Sequence, residues 1–235
     1  LATLSPFMQK ALGEYQFSNS ADLRSQLQAA KLALASDRFL IPGDKRATFG
    51  WQIQGRRNAK QAQGHGWVNS SGQPMSSLRP EIGGFLGGII AITSLMATTF
   101  TPEELLNPVQ LTVLIDNMAL VSWLTKWKFL GPSNTFQPDH DHLQAAMNLA
   151  TVYRINILPK HVKAHQDLDM QYQDFSWEAK MNCDCDILAS KVQDCILCKS
   201  HISDKYQLPP GHEVTLVVNG IFITAHVPMA IRNAV

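Results

Sequence analysis

The chain has 235 residues, 45% of them hydrophobic and 17% charged, with 20 Lys and Arg against 19 Asp and Glu. That composition fits a globular domain with one good core and excludes a disordered chain. A formal net charge of +1 gives no chain-wide basic field, so any nucleic-acid partner must be held by local patches and by metal.

Residues 1–32 read as a lead-in, with Asp22 capping a short helix through Lys31 that turns Leu23, Leu27 and Ala30 to one face. Strand patterns follow over 33–41, 47–54 and 65–69, broken by Pro42-Gly43-Asp44-Lys45 and closed by Ser70-Ser71-Gly72. Such turn residues between strand runs make an antiparallel meander. Next come a helix over 79–98, a strand over 109–116, helices over 117–128 and 139–153, a strand over 155–162 and a last helix opening near Ser176. Three hairpin strands followed by alternating helices and strands predict an α/β fold with a mixed five-stranded sheet flanked by helices. Asn219-Gly220, between alternating β-formers over 214–224, predicts a C-terminal hairpin after Pro209-Pro210-Gly211. The expected organisation is a lead-in over 1–32, a main domain over 33–200 and a hairpin extension over 201–235.

Residues 82–101 carry no charge and are long enough to span a bilayer. Gly83, Gly84, Gly87 and Gly88 equally suit a helix pressed on a sheet, so the run reads as a buried helix and no membrane partner is expected. No charged start leads into an apolar run, so no secretory signal is read, and the absence of an initial Met suggests a piece of a polyprotein. The four cysteines, Cys183, Cys185, Cys195 and Cys198, are clustered instead of spread as a disulfide framework, which suggests a reduced, intracellular protein in cytoplasm or nucleus. Cys195-x-x-Cys198-x-x-His201 has zinc-type ligands, but Cys183 and Cys185 stand two apart on one helix and face different sides. The group reads as buried or half-buried thiols.

The carboxylates carry the chemistry. Asp37 lies inside a strand pattern, Asp116 ends the apolar run Val113-Leu114-Ile115, Glu81 opens the glycine-rich helix, and Asp186 precedes Ile187-Leu188-Ala189. Singly, such a residue is more often a turn or cap residue than a ligand. Brought together, the four repel one another, and a pair of Mg²⁺ ions is the usual resolution because carboxylate oxygens suit a hard cation. Trp123, Lys126 and Lys128 are open to two readings, a strand-gripping patch or an amphipathic helix with its tryptophans inward. Arg56, Arg57 and Lys60 read as a solvated turn.

In their order these motifs resemble type 1 ribonuclease H, and locally the ribonuclease H domain that follows reverse transcriptase in retrotransposons. The resemblance rests on Ala35-Ser36-Asp37, Thr48-Phe49-Gly50-Trp51, Ser77-Leu78-Arg79-Pro80-Glu81 with Gly84, and Val113-Leu114-Ile115-Asp116-Asn117. It also rests on His161-Val162-Lys163-Ala164-His165 and on Asn182 with Cys185-Asp186 and Leu188-Ala189. It implies Asp37, Glu81, Asp116 and Asp186 as ligands of two Mg²⁺ or Mn²⁺ ions, and His165 on a mobile loop as the group that protonates the leaving oxygen or helps product leave. It implies cleavage of the RNA strand of RNA–DNA hybrids, with a reverse transcriptase domain upstream in the same polyprotein; a monomer is expected. Arg38 and Asn117 join Trp123, Lys126 and Lys128 as candidate nucleic-acid contacts. Asp184 competes for the last ligand position, but Leu188-Ala189 selects Asp186. The sequence departs from the family at Arg38, where glycine is common, and at Pro80 and Ala164. These departures support the alternative of a catalytically decayed nucleic-acid-binding domain.

Overall fold

The computed structural model describes residues 4–17, 20–40, 46–55, 62–69, 76–127, 139–164, 171–198, 216–218 and 221–223. The main sheet has the strand order β1-β4-β3-β2-β5-β6, built from β1 (Glu14–Phe17), β2 (Leu32–Leu40), β3 (Arg46–Gly55), β4 (Ala62–Asn69), β5 (Val109–Ile115) and β6 (Ile155–His161). β2, β3 and β4 form the expected antiparallel meander, with Asp37 opposite Gly50 and Gly50 opposite His65. β5 then runs parallel to β2, and β6 parallel to β5, as helical crossovers require.

The sheet has six strands where the sequence pattern indicates five. The lead-in supplies the extra one: α1 (Pro6–Leu12) and β1 precede α2 (Ser20–Gln28). Glu14, Tyr15 and Gln16 are all exposed, so β1 lacks the alternation that marks a half-buried strand. It becomes a strand through pairing with β4, from Glu14 opposite His65 to Phe17 opposite Ala62. The Trp51 indole donates to the Leu12 carbonyl at 3.1 Å, which ties the end of α1 to β3.

Helices cover both faces. α3 (Leu78–Thr99) packs on β2, β3 and β4, and α7 (Trp177–Cys198) packs on β2 and β3. Alternation along the strands sorts their residues between the two. Leu34, Phe49 and Trp51 enter the main core beside Ile82, Phe85, Leu86 and Ile89 of α3. Ala33, Ala35 and Leu114 meet Met181 and Cys185 of α7 in a smaller cluster. α3 is long and apolar enough to cross a membrane, yet 78% of its most apolar window is buried inside the protein. α4 (Pro102–Leu105), α5 (Met118–Lys126) and α6 (His140–Val152) complete this part of the chain. α4 went unread in the sequence, although Thr101 and Glu104 form a reciprocal capping box.

Glycines set how closely the layers approach. A Cβ on Gly84 would lie 2.9 Å from Ser36 Cβ, and one on Gly50 would lie 2.3 Å from the Cys185 carbonyl oxygen. A side chain at either position would hold helix and sheet apart, so both helices depend on a glycine for their close approach.

β7 (Leu216–Val218) and β8 (Ile221–Ile223) pair antiparallel as a separate two-stranded sheet, Val218 opposite Ile221. This matches the hairpin read from Asn219-Gly220; those two residues and the turns at 42–45 and 70–72 lie outside the described residues.

Gly50→Ala is expected to destabilise the protein by about 2–3 kcal/mol, the cost of overpacking a closed layer. It should appear as a lower urea midpoint at unchanged slope; an unchanged midpoint would contradict the close seating of α7 on β3.

Candidate metal centre

The register between β2 and β5 builds the site. Ala33 pairs with Thr112 and Ala35 with Leu114, so Asp37 and Asp116 fall level where the two strands stop pairing. Carboxyl ends of parallel strands open into such a crevice. Glu81 enters from the first turn of α3. Asp37, Glu81 and Asp116 each present a carboxylate oxygen, and these oxygens all lie within 4.8 Å of one another.

Few partners compensate them. Asp37 Oδ1 accepts from the Arg38 backbone N–H at 2.7 Å, and its Oδ2 accepts from Asn182 Nδ2 at 2.9 Å. Glu81 is 0% exposed, and neither of its carboxylate oxygens has a hydrogen-bond partner; nor does Asp116 Oδ1. Burial raises the Asp37 carboxyl well above its usual value, and the charges of Asp116 and Asp186 push it further. Burial likewise raises Glu81, followed by the charges of Asp37 and Asp116. Buried anions without donors are costly. Oxygen-only donors in this arrangement fit a hard divalent cation, which would reverse every one of those raising effects.

The remaining expected residues fall variously. Asp186 is half-buried on α7 and acts on Asp37 through its charge. Asp184 accepts from the Tyr172 hydroxyl at 3.0 Å. Asn117 caps α5, its side-chain oxygen accepting from the N–H groups of Ala119 and Leu120 at 3.0 and 3.4 Å. Trp123 and Trp127 pack against the main core while Lys126 is exposed, the amphipathic arrangement of the two readings weighed. Cys185 is buried and donates to the Ala35 carbonyl at 3.4 Å, and Cys183 is half-buried. His165, Lys128, Arg56, Arg57, Lys60 and His201 lie outside the described residues, as do the side chains of Cys195 and Cys198.

Two residues beside the acids had no role assigned from sequence. Asn182, buried, holds Asp37; its position four before Asp186 on one helix was the available signal. His161 Nε2 lies 3.1 Å from the Asp116 carbonyl oxygen, fixing the backbone that carries that acid. Nothing local in the sequence marks this contact, because it comes from the register of Ile115 opposite His161.

A buried ion cluster anchors the start of α3. Arg79, 1% exposed, clasps Asp141 through two bonds of 3.0 and 3.1 Å and reaches Asp139 at 3.2 Å. Ser76 hydrogen-bonds Asp139. Burial alone would raise Asp141, but the Arg79 guanidinium and then His142 hold it well below the usual carboxylate value. Asp139 sits at φ +60°, a strained backbone for a non-glycine residue that the cluster stabilises. The first turn of α3, with Glu81 on it, is thereby locked to the start of α6.

No protein-family model matches this sequence, and no curated protein matches it. Solved structures do. The LC11 ribonuclease H1, isolated from compost by a metagenomic approach and solved with an RNA/DNA hybrid, aligns at TM-score 0.50 and 11% identity over 71% of this chain and 99% of its own. The ribonuclease H1 of Halobacterium salinarum aligns at TM-score 0.45 and 14% identity over 70% of this chain and 98% of its own. The prototype foamy virus protease–reverse transcriptase aligns at TM-score 0.45 and 17% identity, over 68% of this chain and 20% of its own. The likeness to the LC11 enzyme, at this identity, speaks to architecture. The chain has the ribonuclease H fold, with an added edge strand from its lead-in.

The acids make a pH prediction. Glu81 binds its proton more tightly folded than unfolded, so it lowers the stability of the metal-free protein as pH rises from the ordinary carboxylate value through its raised one. With EDTA at pH 8, Glu81→Gln should therefore be more stable than the parent by on the order of 1–2 kcal/mol, and the gap should close toward pH 4. Equal melting temperatures at pH 8 would show that the Arg38 charge, 3.7 Å from Glu81 Oε2, offsets the burial of Glu81 in full. Arg79→Met, which strands Asp141, should instead lose about 3–5 kcal/mol in urea unfolding; a loss under about 1 kcal/mol would show the cluster to be dispensable.

Proposed function

We propose that this chain is a divalent-metal-dependent endonuclease of the ribonuclease H type that hydrolyses the RNA strand of RNA–DNA hybrids. The observation that carries the reading is the convergence of Asp37, Glu81 and Asp116, with both Glu81 oxygens and Asp116 Oδ1 buried and without a hydrogen-bond partner. The motif order supports it, and so does the fold shared with an enzyme solved on a hybrid. The motifs also support a place in a retroelement polyprotein, behind a reverse transcriptase domain.

In this reading Asp37, Glu81 and Asp116 would hold one Mg²⁺ or Mn²⁺ ion, and Asp186 with Asp37 would hold a second. Bound there, the ions supply a water of lowered pKa and a charge partner for the leaving oxygen. The chain's own groups do the positioning. Asn182 fixes the Asp37 carboxylate by donating to Oδ2, and His161 steadies the Asp116 backbone. Rigid placement of this kind is what lets a site orient its ions without reorganising during the reaction. His165 donates the proton that the departing oxygen needs. Product leaves with a 5′-phosphate and a 3′-hydroxyl.

One observation favours a second reading, a domain that binds hybrids without cutting them. Arg38 Nε lies 3.7 Å from Glu81 Oε2, a cation where an ion must come. A labelled hybrid incubated with the protein and Mg²⁺, beside Asp116→Asn, separates the two. The first reading expects RNA-strand cleavage that falls by about a hundredfold or more in the variant. Equal background signal from both proteins, with hybrid still bound, would establish the second.

A further inference from the structure

We infer that Arg38 is a built-in rival of the metal, a guanidinium that neutralises Glu81 in the ion-free site and must leave before an ion is held there. This rests on the metal-centre reading above and deepens it.

The pleat of β2 against α3 dictates the placement. Leu34 faces Gly88, whose Cβ would lie 2.2 Å from Leu34 Cδ1, and Ser36 faces Gly84. Two residues along the strand thus match one turn of the helix toward its start. The next residue on that face is Arg38, and the next turn carries Glu81. Asp37 points to the other face, where Asn182 of α7 holds it. Arg38 is therefore the β2 side chain that the fold itself delivers to Glu81.

The contact is an ion pair without a hydrogen bond. Nε and Oε2 stand 3.7 Å apart, and both remain without a hydrogen-bond partner. Glu81 is 0% exposed while the Arg38 side chain is 30% exposed. One partner is fixed and dry; the other has a path to water. Arg38 lowers the burden on Glu81 that burial and the neighbouring acids impose. A divalent ion bound by Glu81 removes that need and repels the guanidinium across a few ångströms of poorly screened space. Arginine and ion cannot both hold this carboxylate well. Displaced toward water, the guanidinium is left at the rim of the site, where its planar fork suits a phosphate.

Calorimetric titration of the nucleic-acid-free protein with Mn²⁺ tests this without any activity readout. Arg38→Gln, which keeps length and polarity but removes the charge, should bind Mn²⁺ roughly tenfold tighter than the parent. Arg38→Lys should stay within about threefold of the parent. Melting curves run in parallel supply a second measurement if Arg38→Gln is poorly folded without ions: saturating Mn²⁺ should raise its melting temperature more than the parent's. Mn²⁺ binding by the parent with equal or weaker binding by Arg38→Gln, and no larger melting shift, would overturn the rivalry and leave the metal centre standing. No Mn²⁺ binding by any of the three proteins would overturn both.

Discussion

Three carboxylates held within 4.8 Å of one another repel, and each element around them works against that repulsion. The β2–β5 register sets Asp37 level with Asp116. α3 brings Glu81 in from above the sheet, fully buried and without a donor. In an isolated chain such a cluster would relax by moving apart or by taking up protons. Here the surrounding packing opposes the first option, and burial with mutual repulsion raises the Asp37 and Glu81 carboxyls, which favours the second. A cation bound by these oxygens would offset that cost, because whatever binds only the folded protein returns stability to it.

What denies relaxation can be named. α3 is held close, because Gly84 seats it against Ser36 of β2 and the Gly50 carbonyl of β3 and the main core fills behind it. Its first turn is held in register, because Arg79, itself buried, is clamped by Asp141 and Asp139. Buried ion pairs contribute little net stability on average but are costly to break, so they act better as registers than as glue. That is the role Arg79 plays here. Glu81 is two residues away and inherits its position.

Much of this was legible in the residues. The meander, the glycine-rich helix and the parallel strands follow from turn chemistry and apolar periodicity, signals carried within short windows. The convergence of Asp37, Glu81 and Asp116 was legible only from the acids taken as a set, since any one of them reads equally well as a cap or turn residue. What escaped shares a physical reason. β1 has no pattern of its own and exists by pairing with an edge. The Arg79 cluster joins residues some sixty positions apart. His161 reaches Asp116 through strand register. Each depends on tertiary placement that no local window contains.

Arg38 shows how a single strand residue can set the terms for the whole centre. On β2, neighbours point to opposite faces, so Asp37 and Arg38 could not both serve the same side of the sheet. The acid turns toward α7 and curls over the strand end; the arginine turns toward α3 and finds Glu81. A glycine in that place would leave Glu81 to the ion alone. With arginine there, the ion-free protein carries its own counter-charge, and metal affinity becomes a difference between two cations for one carboxylate. Under the proposed rivalry, the charge that softens the repulsion is also the one an ion would have to displace, because both effects arise from one charge in one position.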